Sequence, residues 1–311
     1  MKVGIIGAGY WGIRHVEKFV KLGEEVIVAD LREEILKNCA ERFGVRVTKD
    51  YRELLADPEV KAIVICVPNE YHYEIAKECL EAGKNILVEK PITTKIEDAE
   101  HLVRIAREKD LILATGHIYR FNNAIKKVKE ILERDGLGEI YNYKVRWLDT
   151  VYENLPGYIE TKKDIDVILD LAPHAFDILH YVTGKNIEEI SAVGGDFYKS
   201  GRADIVSINC KIGKIPVNIE LSWVSRPKRR ELVITGRDKT LIVGCASQEI
   251  KIINKGGEEK KIKVEENDVI LFQDRNFLRA IENKDESLNI ASGKVGLQIV
   301  KDITQARSSL S

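Results

Sequence analysis

Long apolar runs are scarce in this sequence. No stretch approaches the roughly 18 consecutive apolar residues of a membrane span. The first apolar run, Val3 to Ala8, is broken by glycine and has neither a basic leader nor a small-residue cleavage site. Neither a membrane protein nor an exported one is expected. Charge of one sign is lacking too: 49 basic residues face 50 acidic ones, a formal net charge of -1. That leaves no global basic field for nucleic acid or an anionic membrane surface. Cysteine is sparse and unpatterned. Cys39, Cys66, Cys79, Cys210 and Cys245 form no CxxC pair, and an odd, scattered set points to reduced thiols and a cytoplasmic location. One methionine and four glutamines (Gln248, Gln273, Gln298, Gln305) beside so many charges give the thermolabile-poor composition of a thermophile. Internal repeats and low-complexity segments are absent.

What is present suits two domains. The 311 residues are 44% apolar and 32% charged, enough for two sizeable cores under a charged surface. Up to residue 118 the chain alternates strand and helix. Strands are predicted at Lys2–Ile6, Glu25–Asp30, Val45–Thr48, Ala62–Val67, Asn85–Glu89 and Leu111–Thr115, as near-continuous Val/Ile/Leu runs of the kind buried on both faces of a parallel sheet. Between them, Leu31–Phe43, Tyr71–Ala82 and Lys95–Lys109 carry apolar residues at helical spacing. The alternation predicts an α/β doubly wound parallel sheet over 1–118.

After His117 the texture changes. A helix (Asn122–Glu133), a long strand (Glu139–Asp149, with Tyr141, Tyr143, Val145 and Trp147 on one face), a loop holding Pro156-Gly157 and a helix from about Asp164 to Thr183 are expected. Strands with turn punctuation follow from Ile187 to Val264, and helices near Asp268–Glu282 and Ser292–Ser308 close the chain. Residues 119–311 therefore read as an α+β domain with a large, mostly antiparallel sheet. The aromatic face of the long strand suits core or a subunit interface.

The segment KVGIIGAGYWG places Gly7, Gly9 and Gly12 in G-x-G-x-x-G spacing between a buried strand and a helix (Tyr10 to Leu22), and Asp30 ends the next strand 18 residues later. In that context the motif is a dinucleotide fingerprint. Gly7 permits the turn, Gly9 lets the backbone approach the pyrophosphate, and Gly12 allows close packing of helix on strand. The helix N-terminus offers N–H groups to the phosphates. Asp30 is placed to accept the adenosine ribose hydroxyls, so NAD is expected over NADP, with Arg32 able to soften the preference.

Three further segments carry chemistry. ICVPNEYHYEIA bends at Pro68-Asn69 at the carboxyl edge of the sheet, and His72 there reads equally as a packing residue or a cofactor contact. LVEKPIT ends a strand with Glu89-Lys90-Pro91 on the same edge; Lys90 is either a solvated strand-end lysine or a cation aimed at a substrate oxygen. In DIDVILDLAPHAFDILHYV, Asp170, His174 and Asp177 fall at i, i+4 and i+7, one helical stripe. An Asp–His pair of this kind is either a surface pair or an oriented proton-transfer group. The spacing lacks the clustered histidines of a zinc site, so no metal is expected.

Taken together, GAGYWG, PNEYH, EKP, GHIYRF and DLAPHAFD, in this order, resemble the glucose–fructose oxidoreductase / inositol dehydrogenase (Gfo/Idh/MocA) family over essentially the whole chain, including NFLRAIENKDESLNIASG near the end. The resemblance implies that Lys90, Asp170 and His174 form the catalytic group, that the nicotinamide lies over the substrate beside the lysine, and that the Lys90–Pro91 peptide is cis. Fingerprint and resemblance together give the expected cofactor contacts. These are Gly7, Gly9, Tyr10, Trp11 and Gly12; Asp30, Leu31 and Arg32; Cys66, Val67, Pro68, Asn69 and His72; Glu89 and Lys90; and Arg120. The implied reaction is NAD-dependent oxidation of a secondary hydroxyl. His174 serves as general base near its ordinary pKa of about 6.5, Lys90 steadies the developing oxyanion, and Asp170 tunes both.

DLAPH and GHIYRFN look most like members that oxidise nucleotide sugars, such as UDP-N-acetylglucosamine or its uronic acid, at the sugar 3-position. Two departures bear on the substrate: Asp164-Ile165-Asp166-Val167 replaces a glycine-rich approach, and Ala175 follows His174 where an acid is common. Arg120, Arg146, Lys162, Lys163 and Arg226 are candidate phosphate contacts, and the run from Arg226 to Arg230 either meets a diphosphate or caps solvated strands. Alternatives are an inositol or free-sugar dehydrogenase, a dihydrodiol-type dehydrogenase, or an NAD(H)-binding sensor without turnover. The family's large sheet commonly packs face to face between subunits, which implies a homodimer or homotetramer.

Overall fold

The computed structural model describes residues 1–150, 165–198 and 200–311. The Pro156-Gly157 loop and Lys162, Lys163 and Asp164 lie outside the described residues. The chain divides into two compact units, one of Met1–Ile118 with Asp268–Val300, the other of Tyr119–Asn267 with Lys301–Ser311.

The first unit is built on a six-stranded parallel sheet of β1 (Lys2–Ile6), β2 (Glu25–Ala29), β3 (Arg46–Thr48), β4 (Val60–Ile65), β5 (Asn85–Val88) and β6 (Leu113–Thr115) in the order β3-β2-β1-β4-β5-β6. Ile5 in β1 and Ile63, Val64 and Ile65 in β4 are fully buried, as the apolar runs require of strands covered on both faces. One face packs on α4 (His72–Glu81) and α5 (Ile96–Glu108) through Ala76, Leu80, Leu102 and Ile105. The other packs on α1 (Gly12–Lys21) and α2 (Glu33–Phe43) through Val16, Phe19, Leu36 and Cys39. A five-residue α3 (Arg52–Ala56) precedes β4. The order reverses between β1 and β4, so their carboxyl ends flank the crevice where open α/β sheets bind ligands.

The first unit's opening stretch runs to Ile118, and the stretch Asp268–Val300, expected in the second domain, packs with the first unit. Phe277, Leu278 and Ala280 of a late helix, Val269–Asn283, join the apolar cluster of α1 and α2. Asn289 Nδ2 donates to the Leu113 carbonyl at 2.9 Å, and the Thr115 N–H donates to the Ala291 carbonyl at 2.7 Å. The returning chain thus covers the edge of β6. Helical periodicity shows that a helix has an apolar face, not which sheet it covers.

The second unit holds an eight-stranded sheet of β7 (Ile140–Thr150), β8 (Glu188–Gly195), β9 (Ile205–Ile212), β10 (Ile215–Ser222), β11 (Val224–Gly236), β12 (Lys239–Gly244), β13 (Glu249–Asn254) and β14 (Glu259–Ile262). Its order is β14-β13-β12-β11-β7-β10-β9-β8, antiparallel except for the β7–β10 pair. One face packs on α7 (Val167–Thr183), and α6 (Asn123–Glu133) packs against α7; α8 (Val269–Asn283) and α9 (Gly293–Ser308) follow the sheet in the chain. Alternation is clean in β9, where Val206, Ile208, Cys210 and Ile212 are buried between exposed Ser207, Asn209 and Lys211. The outward face carries polar ladders. Asn142 Nδ2 donates to Asn218 at 3.2 Å, Asn218 Nδ2 donates to Asn209 at 2.6 Å, and Arg146 bridges Glu220 and Glu231 at 3.1 Å each.

In β7, Tyr143, Val145 and Trp147 are buried as expected, but Tyr141 is 49% exposed. The register slips there: Thr235 pairs with Asn142 and Gly236 with Ile140, so Tyr141 falls in a bulge that turns it outward. No helix among the described residues is long and apolar enough to cross a membrane.

Candidate active site

The turn between β1 and α1 is shaped by what a side chain would strike. Gly7 has φ +84°, and a Cβ there would sit 2.8 Å from the Cys66 carbonyl oxygen; a Cβ on Gly12 would overlap the Gly7 carbonyl. Only glycine allows this closeness of helix to sheet. α1 starts with no side-chain cap, leaving its positive end to a ligand. Tyr10, Leu31 and Tyr71 are 67%, 87% and 54% exposed. All three follow the carboxyl ends of β1, β2 and β4, on the expected cofactor edge; Val47 in β3 and Tyr141, Val193, Phe197 and Tyr198 in the second unit are exposed as well.

Asp30 is 8% exposed and fully engaged. Its carboxylate accepts the Ala8 N–H at 2.8 Å, the Arg32 N–H at 2.9 Å, and Arg32 Nε and Nη2 at 2.9 and 2.8 Å. Burial disfavours the charge, but the Arg32 fork and the backbone donors outweigh it and hold the carboxyl below its ordinary value. Arg32, expected to soften the cofactor preference, is clamped on Asp30.

At the ends of β4 and β5 the sequence candidates separate. His72 is fully buried, with Nδ1 2.8 Å from the Pro91 carbonyl and Nε2 3.0 Å from the Val67 carbonyl. Burial pushes its pKa down. Its ring is spent on backbone, which is the packing alternative. The Lys90–Pro91 peptide is cis, as is Arg226–Pro227.

Glu89 does not face solvent. It meets His15, which also meets Asp274, and neither partner stood out in the sequence. His15 Nδ1 lies 2.8 and 3.0 Å from the Asp274 oxygens and Nε2 lies 3.2 Å from Glu89 Oε1. Burial opposes the imidazolium, but the charge of Asp274 and the hydrogen bonds to both carboxylates prevail, and its pKa is pushed up to about 10. The donor atoms of His15, Cys66 and Glu89 lie within 4.8 Å of one another. Both ring nitrogens are taken by carboxylates, however, and burial pushes the Cys66 thiol up, away from the thiolate a metal requires. In this arrangement the His15 ring stands between the Asp274 and Glu89 carboxylates.

A sign follows. With an ordinary value of 6.5 raised to about 10, His15 stabilises the fold fully below pH 6.5, and that contribution fades as pH rises toward 10. The melting temperature should fall across this window, and ¹⁵N NMR should show both His15 ring nitrogens protonated at pH 8. A neutral ring at pH 8 contradicts this.

In the second unit, α7 is capped by Asp166, whose side chain accepts the Leu169 N–H at 2.8 Å and Arg307 Nε at 2.8 Å. Most of α7 is buried all round, which fixes the stripe the sequence pointed to. Asp170 Oδ2 accepts Trp223 Nε1 at 3.1 Å. The His174 ring stacks on Trp147, with centroids 5.4 Å apart at 27°, and meets Tyr119 edge-on at 5.3 Å. His174 is only 8% exposed, so its orientation is set by two aromatic walls. Asp177, whose role the spacing left open, accepts Arg120 Nε at 2.6 Å.

Of the basic candidates for phosphate, Arg146 is engaged with Glu220 and Glu231, and Arg120 with Asp177. In the run after Arg226, Lys228 and Arg230 pair with Asp149 at 2.6 and 2.9 Å. Arg230 also lies 5.7 Å over the Trp147 ring. The missed residues His15, Asp274 and Trp223 had little signal, because each partner is distant in sequence. A histidine on the buried side of α1, three residues past the fingerprint, was the one available hint.

Comparison with known proteins agrees with this geometry. The family model for the oxidoreductase family with NAD-binding Rossmann fold (GFO_IDH_MocA) matches residues 1–117, and that for a GFO/IDH/MocA C-terminal domain matches 125–242. Myo-inositol 2-dehydrogenase from Thermotoga maritima is 30% identical over 227 residues, 70% of this chain and 67% of the relative. UDP-N-acetylglucosamine 3-dehydrogenase from Acidithiobacillus ferrooxidans is 28% identical over 291 residues, 90% of this chain and 88% of the relative. The solved structure of that enzyme covers 100% of this chain and 97% of its own, with TM-score 0.87 and 26% identity. A levoglucosan dehydrogenase solved with NADH and levoglucosan shares the fold, with TM-score 0.89 at 19% identity over 99% of this chain and 96% of its own. With the glycine turn, Asp30 and both domain matches in place, the chain belongs to the Gfo/Idh/MocA family and is an NAD-dependent oxidoreductase.

Proposed function

We propose that this enzyme oxidises a secondary hydroxyl of a sugar carried on a nucleotide, UDP-N-acetylglucosamine or its uronic acid, at the 3-position. The observation that carries this reading is the likeness to the UDP-N-acetylglucosamine 3-dehydrogenase along 90% of this chain. When bound, NAD would supply the acceptor for the hydride of the carbinol carbon. His174 takes the hydroxyl proton, and Lys90 holds the oxygen as it gains charge and becomes a carbonyl; Asp170 balances the lysine and histidine. The two aromatic walls on His174 support a base whose ring cannot swing away from its task. The remote diphosphate supplies binding energy that positions the sugar. Cofactor contact is assigned to the turn of Gly7, Gly9, Tyr10, Trp11 and Gly12, and to Asp30, Leu31 and Arg32, with Val67, Pro68 and Asn69 on the neighbouring edge.

The test is kcat/KM, from NADH absorbance, for UDP-N-acetylglucosamine, its uronic acid, glucose and myo-inositol at fixed NAD. The nucleotide sugars should lead. If glucose or myo-inositol wins by about tenfold, 1.4 kcal/mol of transition-state binding, the enzyme is a simple polyol dehydrogenase. The 30% identity to the myo-inositol enzyme favours that second reading.

Cofactor preference follows from Asp30. NAD should bind more tightly than NADP, because the carboxylate repels a 2′-phosphate. Arg32→Ala should widen the gap, because the guanidinium now neutralises Asp30 and is the group that would meet that phosphate. Fluorescence titration with NADH and NADPH reads both; tighter NADPH binding by the wild type refutes the preference.

A further inference from the structure

Three ionisable side chains from three separate stretches of the first unit form one buried line. His15 comes from α1, Asp274 from α8 and Glu89 from the end of β5. His15 and Asp274 have no exposed surface, and Glu89 has 7%. The imidazolium bridges the two carboxylates at 2.8 and 3.2 Å. The second Glu89 oxygen, Oε2, then accepts the Lys90 N–H at 3.2 Å. There is no slack behind it: a Cβ on Gly116 would sit 2.8 Å from that same oxygen.

Burying three charges is expensive, and well-packed apolar residues of similar volume often stabilise a fold as well or better. The line therefore calls for a purpose beyond stability. Its geometry supplies one, because it ends on the backbone of Lys90. On the other side of that residue, His72 Nδ1 holds the Pro91 carbonyl at 2.8 Å. The backbone is gripped immediately before and after the lysine. A neutral chain of the same shape would grip less firmly, since hydrogen bonds to ionised groups are roughly twice as strong as neutral ones.

We infer that His15 and Asp274 are positioning residues that act through Glu89 to fix the backbone from which Lys90 projects, and so set where its ammonium meets the substrate oxygen. The inference rests on the reading of Lys90 given above. Asp274 is the informative place to perturb it, because its partner in the line is His15 and its influence reaches Lys90 by way of Glu89.

Asp274→Asn removes the charge and keeps the shape. Hydrogen exchange of the Lys90 N–H, followed by NMR on the full chain, should quicken by about tenfold or more while amides of β1 and β4 stay within about twofold. Unchanged exchange at Lys90 overturns the inference, and so does uniform acceleration, which reports a general loss of stability. His15→Gln cuts the same line at its middle and gives the same readout if Asp274→Asn does not fold. In turnover of the sugars named above, Asp274→Asn should lower kcat by about tenfold with KM and NAD affinity little changed. Added to Lys90→Met it should cost almost nothing more, because changes that act through one group do not add. Full multiplication of the two losses overturns the inference. Wild-type turnover by Lys90→Met instead removes the lysine's role, and the exchange result still decides the positioning.

Discussion

Replacing His174 with asparagine should lower turnover by roughly 10²–10⁴, the range for a lost general acid–base group, while NAD affinity is almost unchanged. Asparagine still hydrogen-bonds and is close in size, but it cannot take a proton at neutral pH. The wild-type ring is held by Trp147 and Tyr119 rather than by solvent, so the variant keeps its surroundings and loses only the chemistry. Lys90→Met should cause a loss of similar size by a different route. Methionine matches the length of the aliphatic stem and removes the cation that steadies the developing oxyanion. Single-turnover and steady-state rates from NADH absorbance, with NADH binding by fluorescence, separate the outcomes. Near-normal turnover in the His174 variant would return that residue to the aromatic core as a packing group.

Arg120→Leu should produce the largest loss of stability, about 3–5 kcal/mol, the usual cost of removing one partner from a buried ion pair. Asp177 is 1% exposed and Arg120 Nε lies 2.6 Å from it. The guanidinium also sits 5.3 Å over the Tyr181 ring. Without the arginine, a carboxylate on the fully packed helix α7 loses its charged partner, and leucine offers no donor in exchange. The double change Arg120→Leu with Asp177→Leu should recover much of the loss, since it removes the stranded charge. Urea unfolding measures both. The experiment also settles what the GHIYRF motif does at this position. If NADH affinity collapses while stability holds, Arg120 belongs to the cofactor site; the reverse pattern makes it a strut of the second unit.

The parts of this protein that were legible in the sequence are those governed by neighbours along the chain. Gly7, Gly9 and Gly12 are local requirements of one turn, and Asp30 sits one strand and one helix away at a fixed distance. The parallel sheet was readable because strands buried on both faces need unbroken apolar runs, and the helix expected from about Asp164 to Thr183 is α7, which starts after the Asp166 cap and stops before Gly184. The stripe of Asp170, His174 and Asp177 needed only the helical repeat. Tertiary structure alone decided what each of these residues faces. Asp177 found Arg120, 57 positions away, and His15 found Asp274, 259 positions away. His72 turned its ring to backbone, Tyr141 was thrown outward by a one-residue slip in register, and α8 joined the first unit's sheet. None of these has a periodic signature, because a hydrogen bond or an apolar contact depends on distance in space, and a chain folded over its own sheet makes residues far apart in sequence into nearest neighbours.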